Sequence, residues 1–147
     1  MNLRQMFLLL VSVSLFPIAL SYGVAPQESL HFLFGMTVTD INAIHIYRAM
    51  MGLYLAMSVF WFIGAFNVLV RQAALYSQIV FMSGVAAGRA ISLIVDGMPH
   101  WLMLVYLTLE IIAVMIGVLL LSKVAFSPVQ AQQTESPSRQ CSGNHHV

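Results

Sequence analysis

Three ionisable side chains fall inside long apolar runs: Arg48 in "IYRAMMGLYLA", Arg89 in "GVAAGRAISLIVDG" and Glu110 in "YLTLEIIAVM". A charge at the centre of a bilayer costs at least about 2.5–3.5 kcal/mol, so such residues pair with one another or mark a site. The natural chemistry for this set is a carboxylate held by guanidinium groups, an arrangement that is often bidentate. Asp96 lies seven residues past Arg89. Seven residues make about two helical turns, which puts Asp96 on nearly the same face as a second acidic partner. Tyr106, one turn before Glu110, adds a hydroxyl to that face. Such a cluster has two uses. It can brace the helices that carry it, or it can bind or move an anion, a lipid headgroup or a proton.

Other chemistry is poorly supported. No Ser/His/Asp set, HExxH or phosphate-binding loop occurs, so the chain reads as non-enzymatic. His31, His45 and His100 lack metal-ligand spacing, and neither a metal nor a cofactor is expected. The single cysteine, Cys141, excludes an intrachain disulfide. A net charge of +1 points to no nucleic-acid partner.

The elements that position these residues follow from composition. The chain has 147 residues, 60% of them hydrophobic and 7% charged, with a mean hydropathy of +0.88. Soluble domains carry about 25% charged residues, so this chain belongs in a bilayer. About 20 mostly apolar residues suffice to cross one as a helix. Four such runs are present, at about 6–24, 44–67, 72–95 and 101–121. The expected fold is all-α: a four-helix transmembrane bundle over residues 1–121, followed by a disordered polar tail over 122–147. Pro17 falls inside the first run, where transmembrane helices tolerate it. That run also resembles a secretory signal peptide, with small residues near Ala19 to Ala25. Its length and Tyr22 favour retention.

Between the first two runs, Leu30, Leu33 and Phe34 have helical spacing and predict a short interfacial helix. Asp40 or Asn42 is placed to cap the helix after it. "DGMPH" predicts a tight turn before the last span.

With four retained spans, Arg4, Arg71, Lys123 and Arg139 share one side, and Glu28, Asp40 and Asp96 share the other. Basic flanks stay in the cytoplasm, so both termini are expected there. At 1.5 Å per residue, Arg48, Arg89 and Glu110 fall roughly 6, 10 and 15 Å below the opposite surface. An arginine side chain spans that difference, so Arg89 is expected to point into the bundle toward Glu110. Gly84 and Gly88 form a GxxxG, with Gly52 near Arg48 and Gly117 on the Glu110 face. Small residues at this spacing let helices approach closely.

Several stretches resemble one known family: "APQESLHFLFG", "YRAMMGLYLA", "AGRAISLIVDGMP" and the glutamate in "LYLTLEIIAVMIG". Together they are similar to the domain of unknown function 4345 family of small bacterial membrane proteins, over about Phe7 to Leu121. The resemblance implies four transmembrane helices, an inner-membrane location and no particular activity. Arg48, Arg89, Asp96, Gly97 and Glu110 match its recurring polar positions, whereas the long tail after Lys123 departs from its pattern. The expected role is structural or partner-binding within the lipid bilayer, toward another membrane protein or a second copy. The alternative is a small transporter or a lipid- or anion-binding protein. An open pocket beside the cluster would distinguish the second from the first.

Overall fold

Helix-forming apolar sequence fills nearly all of the 2–125 region that the computed structural model describes. Five helices occur there: α1 Leu3–Gly23, α2 Pro26–Phe34, α3 Ile41–Phe66, α4 Val68–Val95 and α5 Trp101–Ala125. All but α2 are long and apolar enough to cross a membrane, which makes this a multi-pass membrane protein by length and composition. No strand occurs among the described residues.

Local chemistry explains the breaks. Pro26 opens α2, where its missing N–H would be unpaired in any case. Gly35 closes it at φ +69° and donates to the His31 carbonyl at 2.9 Å. Asp40 caps α3 by accepting from the Asn42 N–H at 2.6 Å. Gly97, at φ +95°, makes the turn between α4 and α5. Pro17 lies within α1 without ending it.

Two boundaries differ from the sequence reading. Residues 68–71 were expected to connect two spans, but they are helical, and Asn67 alone separates α3 from α4. Its side chain accepts from the Leu69 N–H at 2.9 Å and so starts α4 at once. Arg71 then folds back, donating to the carbonyls of Gly64 and Ala65 at 3.3 and 3.0 Å. It satisfies the open end of α3, which allows so short a turn. The second difference is at the far end. α5 continues through Ala125, past the composition change at Ser122. The remaining expected tail, 126–147, lies outside the described residues.

Packing proceeds in the order α1, α3, α4, α5. Leu8 and Ala19 of α1 are wholly buried. Ser12 Oγ donates to the Ser58 carbonyl, and Ser58 Oγ donates to the Ser12 carbonyl, both at 2.9 Å. This reciprocal pair joins α1 to α3 without leaving either hydroxyl exposed to lipid. Trp61 Nε1 donates to Ser77 Oγ at 3.0 Å, joining α3 to α4. Gln78 is fully buried between α4 and α5, and its Nε2 donates to the Ala113 carbonyl at 3.4 Å. In contrast, α1 and α5 meet only briefly. The bundle is therefore loosest along the α1/α5 seam. Instead of lying apart in an interface, α2 buries Leu30 and Phe34 against one end of the bundle.

Of the four glycines expected to pack helices, only Gly117 does so, against Gln78 and Ile79. Gly52, Gly84 and Gly88 have open space where a Cβ would stand. The reason is rotational. At about 100° per residue, a register that aims Arg89 at α5 turns Gly88 about 100° and Gly84 about 140° away.

Candidate functional site

At the end of the bundle covered by α2, Arg89 of α4 meets Glu110 of α5, with Nε 3.1 Å from Oε1. The two helices run antiparallel on either side of the Gly97 turn, which brings these distant positions level. The pair is not wholly enclosed: the side chains are 19% and 13% exposed. The contact is an ion pair without a well-aimed hydrogen bond, because the Nε–H does not point along it. Arg89 also donates from Nη1 to Met103 Sδ at 3.0 Å. Its guanidinium carbon lies 5.7 Å from the centre of the Tyr106 ring, within cation–π range. The arginine thus has contacts on several sides. Glu110 does not: its Oε2 is buried with no donor.

Two expected members stand elsewhere. Arg48 is exposed on α3 and makes no ion pair among the described residues. The buried line of α3 runs through Tyr54, Ser58, Trp61 and Ala65. Arg48 lies six residues before Tyr54, which turns it about 120° off that line. α3 also packs on α1 and α4, whereas Glu110 belongs to α5. Asp96 is exposed and accepts from Ser92 Oγ at 2.6 Å, so it serves its own helix end and not Arg89.

Aromatic rings that the sequence reading did not assign to the site form its wall. Tyr22 of α1 stacks on Tyr47, with ring centres 6.3 Å apart, and meets Tyr54 edge-on at 5.8 Å. Phe34 of α2 lies edge-on to Tyr106 at 6.3 Å. The seven-residue spacing of Tyr47 and Tyr54 was a visible signal of a shared face. The contribution of Tyr22 depends on where α1 docks, which no local pattern reveals.

Behind the ion pair lies a cavity of about 200 Å³. It follows α1 from Phe7 to Ile18 and α5 from Tyr106 to Ile116, and Tyr54, Phe81 and Met82 form its floor. It therefore lies along the loose α1/α5 seam. Its wall is apolar except for Ser14, Tyr54, Arg89, Tyr106 and Glu110. Among the described residues, no group of three or more His, Cys, Asp or Glu side chains comes together to hold a metal.

A family model described as "Domain of unknown function (DUF4345)" matches residues 3–121. No curated protein and no solved structure matches the chain.

Proposed function

The chain belongs to the DUF4345 family, and on that premise we propose that it is a non-enzymatic membrane protein that holds an apolar molecule beside the Arg89–Glu110 pair. One observation carries this reading: the apolar cavity of about 200 Å³ that ends on a buried, unpaired carboxylate oxygen. A bundle that needed only a brace would close around its ions, because an unpartnered acceptor away from water costs about 1–3 kcal/mol. Apolar pockets with a few convergent polar groups are the usual form of small-molecule sites. An intramembrane charge set on such a pocket favours binding over bracing.

The reading is tested by native mass spectrometry of the protein released from detergent. One bound apolar molecule per chain is expected for the wild type. Ala113→Phe places a ring in the cavity, and the bound mass should then disappear while folding persists. Equal ligand mass in both proteins, or none in either, would return the pair to a purely structural role.

The proposed setting is the inner membrane with both termini in the cytoplasm, supported by the side shared by Arg4, Arg71, Lys123 and Arg139. Retention of α1 is part of this topology. Its support is that Leu8, Val11, Leu15 and Ala19 are core residues. In a Cys141→Ser background, a cysteine at the exposed Gln27 should react with an impermeant thiol reagent in intact cells, and one at Thr134 should not. Labelling at both positions, or at Thr134 alone, would overturn the topology.

A further inference from the structure

We propose that the molecule held in the cavity carries a neutral hydroxyl head, and that this hydroxyl donates to Oε2 of Glu110. This rests on the cavity being a binding site, and it assigns the chemical class of the occupant.

The polar end of the cavity selects by charge and by hydrogen-bond sense. Arg89 is the only cation in the lining, and its charge is already matched by Glu110 at 3.1 Å. Its remaining contacts go to Met103 Sδ and the Tyr106 ring. A phosphate or carboxylate head would therefore approach a neutral pair, with the bare oxygen of Glu110 repelling it in a low-dielectric setting. An ammonium head would leave the pair with one uncompensated positive charge, which is costly to bury. A hydroxyl adds no charge. It supplies the one thing that Oε2 lacks, a donor.

Size narrows the class further. An apolar cavity of about 150 Å³ takes a molecule such as benzene, so about 200 Å³ suits one ring or one stretch of alkyl chain. A diacyl lipid does not fit. From Glu110 to Ile116 the apolar wall extends roughly 9 Å along α5, at 1.5 Å per residue. The occupant is thus an alcohol or phenol with a single apolar body. Entry from the bilayer along the α1/α5 seam requires no polar gate, since that is where the helices touch least.

The test uses the full chain in phosphatidylcholine nanodiscs with a diazirine-bearing long-chain alcohol. Adducts are mapped after irradiation with and without decanol, decyl methyl ether, decanoate, decylamine or decyl phosphate. Competed adducts are expected on the facing stretches 10–18 and 109–116. Decanol should compete at concentrations about tenfold or more below the methyl ether, the loss expected when a hydrogen bond to a charged group cannot form. Decanoate, decylamine and decyl phosphate should compete no better than the ether. In the Arg89→Leu/Glu110→Leu double variant, labelling should continue, with decanol and its ether now equivalent.

If the ether or a charged analogue matches decanol on the wild type, the hydroxyl assignment is wrong although the cavity still binds. A preference for decanol that survives in the double variant would also overturn it, by placing the acceptor elsewhere. An absence of competed adducts on α1 and α5 would remove the site itself, and the inference with it.

Discussion

Arg89→Leu is expected to destabilise the protein in detergent by about 3–5 kcal/mol, because it leaves Glu110 charged and unmatched in an apolar setting. Glu110→Leu should cost a similar amount by stranding the guanidinium. The double replacement should recover most of the loss. Leucines fill the same space, and a well-packed apolar pair often equals or exceeds a desolvated ion pair in stability. Two features strengthen this expectation. The ion contact at 3.1 Å lacks an aligned N–H, and Oε2 has no donor at all, so the pair gains less than its charges allow. The readout is a double-mutant cycle on reversible unfolding in mixed micelles, which isolates the coupling between the two positions. If the two single changes simply add, the residues are not coupled and the pairing is incorrect.

Gly64→Ala should be the most damaging of the glycine replacements in the membrane-spanning core of α3. A Cβ at Gly64 would overlap the Cβ of Ala74 and reach within 3.8 Å of the Arg71 Cα. Ala74 is wholly buried and has no rotamer with which to retreat. Asn67 alone joins α3 to α4, so the helices cannot separate at this end without disturbing the turn and the Arg71 contacts. Overpacking of this kind costs about 1–3 kcal/mol. By contrast, Gly84→Ala and Gly88→Ala meet open space and should stay within about ±0.5 kcal/mol. Unfolding curves of the three variants, measured together, check the order. A Gly64→Ala protein as stable as Gly88→Ala would mean that the α3/α4 approach is looser than described.

The contrast among the glycines also shows where sequence reading stops. Gly84 and Gly88 carry the familiar small-residue spacing, yet they face away from the chain's other helices. Gly64 carries no such pattern, and it lies at the tightest crossing. Spacing states which residues share a helix face. It does not state which face the neighbour occupies.

The same division holds for the whole molecule. Composition and run length by themselves determined an all-α chain with four candidate spans, since a bilayer accepts long apolar helices and little else. The cost of charge in lipid was enough to single out Arg89 and Glu110 before any contact was known. Only the tertiary structure decided that Glu110 has one arginine partner and not two, because helix rotation turns Arg48 outward and the packing order keeps α3 from α5. Only it showed Asp96 bound to Ser92, and a cavity where a closed brace was expected. These outcomes depend on how four apolar cylinders are rotated and ordered against one another. For α3 and α5, which are apolar on every side, the linear pattern contains almost no signal for that rotation; packing and a few polar fasteners such as Ser12–Ser58 and Trp61–Ser77 set it.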